Sequence, residues 1–298
     1  MTIQTLQRAY GLVVMTSPSH LVKSLGENDL FEYLNIIELS GITKKHIKET
    51  KRALEKYLDY VKWKIDKPRS LAYFNKLHGK FSIAYYKKQM YQIMKFLKHY
   101  SVEWIKHIKL PSDPDYTPKR VTEEDITKTI DYFKGNDYYK RFKAIILLGA
   151  TSGLRPSELY SLTLNDINID NRTIYVRHDP KTNHTTKSGK SRITFFNEQA
   201  KVALINYLEV FDNGMRLKTL FSENTIQNAF QNAPLNVKHL RKAFSQTWTR
   251  KGGDTGVKKI LMGHSLKNDI DLMHYNYQSE EDLKKIYDKV MNNKEITS

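Results

Sequence analysis

The stretch that most constrains this chain runs from residue 144 to 158 and reads AIILLGATSGLRPSE. Ile145 to Leu148 is apolar on every side, Gly149 and Gly153 bracket a small polar patch, and Pro156 is suited to open a helix. The spacing predicts a buried helix that stops at the glycine and a second that starts at Arg155. Such a junction holds a guanidinium beside a helix N-terminus, where unpaired N–H groups already favour anions. Taken alone, Arg155 is more readily read as a structural arginine paired with Glu158 one turn on.

The rest of the chain has to supply a fold around that junction. At 298 residues it is long enough for two domains, and 40% hydrophobic and 11% aromatic content supports real cores. The formal charge of +17 favours a polyanionic partner. Residues 1–110 carry 20 Lys+Arg against 9 Asp+Glu, so most of the excess lies in the smaller part. With no cysteine, disulfide frameworks, zinc knuckles and thiol nucleophiles are excluded. No apolar run reaches membrane-spanning length, and residues 1–21 lack a signal-peptide pattern. An intracellular, cytoplasmic protein with no membrane partner is expected.

Residues 1–27 show no clear period, and their role stays open. From Asn28 the apolar spacing turns helical. One helix ends at Ser40-Gly41, and a second runs from Thr43 through Ile47, Leu54, Leu58, Val61 and Trp63 to a stop at Lys67-Pro68. A short segment over Leu71–Leu77 leads through Gly79 to a helix over Ile83–Tyr100. Residues 28–108 thus read as a small helical domain whose lysines and tyrosines suit a duplex backbone or, more plainly, form a solvated surface. Residues 109–120, with three prolines, read as a linker, and 121–298 as a second domain. Thr122-Glu123-Glu124-Asp125 has the form of a capping box.

In that second domain Ile174–His178 and Arg192–Phe196 read as strands joined by a polar hairpin with its tip near Ser188-Gly189. Helices are expected over Glu198–Val210, Thr225–Ala233, Val237–Arg250 and Thr255–Met262. An amphipathic tail follows over Glu280–Met291, suited either to its own domain or to a neighbour. The fold class expected is mainly α with a small antiparallel sheet. Cations fall at special places: Lys187 at the hairpin, Lys238 and Arg241 three apart on one helix face, and His264 after the helix-ending Gly263. Tyr275 and Tyr277 lie just beyond. His178, His184, His264 and His274 show no metal-binding spacing.

TSGLRPSEL, KHLRKAF and LMGHS, in this order, resemble the three boxes of the tyrosine recombinases, the phage integrase and Xer-like DNA strand-exchange enzymes. The resemblance spans about residues 115–290 and places the helical part where that family has its core-binding domain. It implies a helical core-binding domain, a tyrosine-recombinase catalytic domain and a clamp around double-stranded DNA with specific attachment sites. It further implies self-association to a tetramer on DNA, and strand breakage and rejoining through a 3′-phosphotyrosine with no cofactor. By the same resemblance Arg155 and Arg241 hold the scissile phosphate, and His264 adds a hydrogen bond to it. Lys187 protonates the leaving 5′ oxygen, with Lys181 and Lys190 as competitors, and Glu158 orients the arginines. Two places depart from the pattern. Lys238 stands where a histidine is usual, as in integrases of archaeal viruses and plasmids. The nucleophile's usual place, nine residues after His264, is Met273, which leaves Tyr275 as the expected nucleophile and Tyr277 as its alternative. A type IB topoisomerase-like enzyme, a dimer resolvase or a catalytically decayed DNA-binding protein would carry much the same features.

Overall fold

A computed structural model describes residues 23–113, 115, 117–178, 186, 189–211, 219–264 and 278–292. The chain divides into two compact units between Thr117 and Pro118. It is mainly α-helical with two small antiparallel sheets.

Among the described residues the first unit holds four α-helices, α1 (Glu27–Leu39), α2 (Lys44–Val61), α3 (Lys67–Lys80) and α4 (Ile83–His99). Three of them start on side-chain caps: Thr43, Asp66 and Ser82 accept from the amides of His46, Arg69 and Tyr85, each satisfying an N–H the helix leaves unpaired. Their apolar faces meet in a core that includes Leu54, Tyr57, Leu58, Met90, Ile93 and Phe96, all fully buried. Three expectations are corrected in this unit. Lys67-Pro68 does not stop a helix but opens α3, because Asp66 caps it and a proline in the first turn lacks only an N–H that would have no partner. The segment expected as a short piece over Leu71–Leu77 is therefore part of a 14-residue helix with Gly79 inside its last turn. Trp63, expected on α2, lies past its end, where Lys62 and Trp63 both take positive φ and turn the chain into β2 (Lys64–Ile65). That strand pairs with β1 (Lys23–Ser24), a ribbon too short to read from alternation.

The second unit is built on the apolar stretch from which its folding follows. α5 (Glu123–Tyr132) starts on the expected capping box, with Thr122 and Asp125 exchanging hydrogen bonds. α6 (Tyr139–Ser152) is buried at every residue from Ala144 to Ser152, the mark of a helix wrapped on all sides. Around it stand α7 (Pro156–Ser161), α8 (Glu198–Leu208), α9 (Glu223–Ala229), α10 (Val237–Arg250) and α11 (Thr255–Met262). α6 packs closely on α8 and α10. A methyl at Gly149 would sit 2.9 Å from Leu240 and 3.1 Å from Leu159, so this glycine sets the approach of α6 to α10 and α7.

The two expected strands appear as β4 (Thr173–Val176) and β5 (Arg192–Phe195), and β3 (Ile167–Asn168) adds an edge that two residues of sequence could not announce. α8 and α9 end earlier than expected, at Leu208 and Ala229. The tail forms α12 (Glu280–Met291) and settles on its own unit: Leu283 and Tyr287 bury against Phe195, Phe244 and Trp248, and Asp288 takes Arg172 at 2.9 Å. No helix among the described residues is long and apolar enough to cross a membrane.

Gly153 ends α6 at φ +66°, and a methyl there would stand 2.5 Å from the Phe244 ring; Gly252, at φ +70°, has open space around it. Gly252→Ala should therefore cost only the left-handed backbone penalty of about 1 kcal/mol, whereas Gly153→Ala should cost about 3 kcal/mol because overpacking is added. Urea denaturation of the two variants checks the difference, and equal losses would contradict it.

Candidate active site

Two helix C-termini create the site. The last carbonyls of an α-helix have no partner within it, and cationic side chains are favoured there. At the end of α6, the Thr151 carbonyl accepts from the Tyr287 hydroxyl at 2.7 Å, that of Ser152 from the Thr194 hydroxyl at 2.7 Å, and that of Gly153 from Arg241 Nη1 at 2.5 Å. At the end of α11, the carbonyl of Leu261 accepts from Arg192 Nε at 2.9 Å, that of Met262 from Arg241 Nη2 at 2.8 Å, and that of Gly263 from Arg155 Nη2 at 2.8 Å. Arg241 thus ties one helix end to the other.

Among the described residues one carboxylate sits among the guanidinium groups. Glu158, buried on α7, accepts Arg155 Nη1 at 2.8 Å and the Arg155 amide at 2.7 Å. Its carboxylate also takes a two-point fork from Arg192 at 2.9 and 2.7 Å, the geometry in which a guanidinium binds a carboxylate best. Burial pushes the Glu158 pKa up, but the Arg192 hydrogen bonds and charge, followed by the bonds from Arg155, outweigh it and hold the carboxyl below its ordinary range. Arg241 moves the other way. Burial first, then the neighbouring Arg155 charge, lowers its pKa from the usual guanidinium range to about 10, so it stays cationic at neutral pH in a site that, among the described residues, holds more positive charge than Glu158 balances.

His264 follows Gly263, which holds φ +64° and lets the chain leave α11, and its amide donates to the Lys259 carbonyl at 3.0 Å. Desolvation lowers the pKa of its exposed ring, and the charges of Arg241 and Arg155 add to this, so the neutral imidazole is favoured. Lys238, exposed near the start of α10, lines a cleft with Arg155, Ser157, Tyr160 and Gln227. Beside it His239 has its pKa lowered by desolvation and by Lys119, Lys238 and Lys242.

Of the residues singled out in the sequence, the fold brings Arg155, Glu158, Arg241 and the backbone leading to His264 into one hydrogen-bonded group, with Lys238 on the adjoining cleft wall. Lys187, Tyr275, Tyr277, Lys181, His184 and His274 lie outside the described residues. Lys190 is exposed two residues before β5, next to Gly189, which at φ +67° closes a turn on the Thr186 carbonyl. His178 is engaged there too, its Nδ1 accepting from the Thr186 amide at 3.1 Å. Among the described residues no group of His, Asp and Glu is arranged to hold a metal ion.

Arg192 is the member that sequence reading missed, having been read only as a strand residue. Its signal was the period-2 pattern: Arg192 and Thr194 share the polar face of a strand whose Ile193 and Phe195 face the core. A buried polar face needs partners, and Glu158 and the α6 end provide them.

The profile described as the phage integrase family matches residues 119–278, which contain Arg155, Glu158, Arg192, Lys238, Arg241 and His264. The chain is 28% identical over 158 residues to the tyrosine recombinase XerC of Actinobacillus succinogenes, covering 53% of this chain and 49% of that protein. It thus spans about half the length of that relative. It is 26% identical over 257 residues to the tyrosine recombinase XerA of Pyrococcus furiosus, covering 84% of each. In fold it is similar to a lambda integrase solved as a tetramer bound to a Holliday junction, with a TM-score of 0.62 at 14% identity, covering 90% of this chain and 83% of that one.

The Glu158 carboxylate contributes stability that is present above the unfolded carboxyl's pKa of about 4.3 and is lost as pH falls through its lower folded value. Glu158→Gln leaves Arg192 buried without its counter-charge and should cost about 3 kcal/mol at pH 7. Because a protonated glutamic acid resembles glutamine, the gap to wild type should shrink below about pH 4. Denaturation midpoints across pH 3 to 7 check this, and a gap independent of pH would contradict it.

Proposed function

The chain belongs to the phage integrase family, and from that premise we propose that it is a site-specific DNA recombinase that cuts and rejoins strands through a 3′-phosphotyrosine. The observation that carries the reading is a hydrogen-bonded cluster of Arg155, Arg192 and Arg241 that, among the described residues, holds more charge than Glu158 neutralises. A phosphodiester in the transition state gains negative charge on its non-bridging oxygens, and guanidinium groups fixed in advance stabilise it without reorganising. The fit of Arg155 and Arg241 to that task is the reason for assigning it to them.

In the proposed step the Tyr275 oxygen attacks phosphorus, forming the phosphotyrosine ester as the bond to the 5′ oxygen breaks. Lys187 gives its proton to that departing oxygen, and the tyrosine proton passes to solvent. Attack by a 5′-hydroxyl from another strand reverses the step, and since one phosphoester replaces another, no nucleotide hydrolysis enters the balance. His264, favoured as the neutral imidazole, donates one hydrogen bond to a phosphate oxygen. Lys238 does the same as an ammonium, a role that suits an exposed cation on the wall of the Arg155 cleft. Glu158 acts on the arginines and not on the substrate.

The lysine-rich helical unit, residues 28–108, takes the part of the core-binding domain, with residues 109–120 as linker and 121–298 as the catalytic domain. The partner is double-stranded DNA with specific attachment sites. Four protomers on two sites are the proposed assembly, supported by the tetrameric state of the lambda integrase of similar fold. Action on DNA supports a location inside the cell.

Tyr275→Phe should bind labelled attachment-site DNA as wild type does and form no covalent protein–DNA adduct on a nicked suicide substrate. Persistence of the adduct in that variant, with loss in Tyr277→Phe, would move the nucleophile to Tyr277. Arg155→Ala should slow adduct formation by roughly 100-fold or more, as removal of one preorganised donor does elsewhere. Recombinant product from two sites, as opposed to relaxation of one supercoiled circle, separates this reading from a topoisomerase.

A further inference from the structure

Arg192 makes contacts that its place in the sequence does not explain. Its side chain is only 7% exposed and is fully engaged: Nη1 and Nη2 on the two oxygens of Glu158, and Nε on the Leu261 carbonyl. The stem of the side chain passes directly under Gly263, where a methyl would come 2.7 Å from Arg192 Cδ. Arg192 therefore fills the space between α7 and the end of α11, the two elements that carry Arg155 and lead to His264. It is also the first residue of β5, at the base of the hairpin, five residues after Lys187 in the sequence.

We propose that Arg192 is a positioning residue for the strand-transfer reaction, fixing Glu158 and the Leu261–Gly263 carbonyls in one geometry so that Arg155, Arg241 and His264 converge on the phosphate. The inference rests on the recombinase reading above. The physical reason is a division of labour. If Glu158 faced Arg155 alone, the buried carboxylate would draw that guanidinium fully onto itself. By taking both carboxylate oxygens, Arg192 leaves Arg155 only Nη1 there and frees its Nη2 edge to face the α11 end. A second cation replaces the neutralisation that Arg155 would otherwise have to supply, and the cluster keeps its positive surplus where the phosphate enters. Lysine cannot substitute, since a single ammonium cannot span two carboxylate oxygens and a carbonyl at fixed angles.

The test is single-turnover cleavage of a nicked suicide duplex by full-length wild type and Arg192→Lys. Burst amplitude reports the fraction of folded, competent protein, and the burst rate constant reports geometry within that fraction. The expected result for Arg192→Lys is a rate constant lower by about 100-fold, the scale of an ångström-sized misplacement, with DNA affinity changed by less than about twofold. Glu158→Gln should show a similar loss, and the double variant no more than either single one, because the two residues act as a unit. If the amplitude of Arg192→Lys is too small to time, the neutral pair Arg192→Gln with Glu158→Gln is timed in its place, and a slowed rate constant is expected there too. A wild-type rate constant with reduced amplitude would assign Arg192 to stability alone and overturn the proposal. Absence of any adduct from the wild-type protein would overturn the recombinase reading, a result distinct from the first.

Discussion

The Glu158 carboxylate is the interaction on which the rest of the site depends. It is buried, it is charged, and its two oxygens are divided among the backbone amide of Arg155, the Arg155 guanidinium and the fork of Arg192. A charge in such a place is tolerated only when its partners satisfy it, and satisfying it fixes all of them. Through Arg155 it reaches the Gly263 carbonyl, and through Arg192 the Leu261 carbonyl, so one acidic group ties α7, β5 and the end of α11 together. Arg241 closes the ring from the other side by spanning the ends of α6 and α11.

Helix ends explain why this could be assembled from so few residues. Six terminal carbonyls, from Thr151 to Gly153 and from Leu261 to Gly263, receive side-chain donors from four other elements. Each such bond meets a need of the fold, and four of the six also fix the guanidinium of Arg155, Arg192 or Arg241. Gly153 and Gly263 make it geometrically possible, both in left-handed conformations and both with a neighbouring side chain in the space a Cβ would fill. Stability and site geometry are therefore coupled: loosening α6 or α11 moves the arginines. Tyr287 extends that coupling to α12, since its buried hydroxyl caps the Thr151 carbonyl.

Much of this was legible in the sequence where the signal is local. The apolar run at 145–148, the proline after Arg155, the Thr122 capping box and the glycine after Met262 each dictate a nearby backbone state, and each state is found. What failed was ambiguous or non-local. Lys67-Pro68 can end one helix or begin another, and the deciding fact is the Asp66 cap. The amphipathic tail suited its own unit or a neighbour equally, because its stripe names no partner; Phe195, Trp248 and the Arg172–Asp288 pair hold it on its own unit. Arg192 was missed because its importance lies in partners 34 and 69 residues away, which no local pattern encodes.

Arg155 and Arg241 are proposed to act together as a charge clamp for one phosphodiester. The most direct measurement is a comparison of cleavage on a duplex whose scissile phosphate is intact with one carrying a methylphosphonate there, which removes the negative charge and keeps the position. On the phosphate, Arg155→Ala should be slower than wild type by roughly 100-fold or more, and on the methylphosphonate that penalty should largely disappear, since the interaction lost in the protein is already lost in the DNA. An arginine penalty of the same size on both substrates would show that the guanidinium acts somewhere other than on the phosphate charge, and would contradict the account.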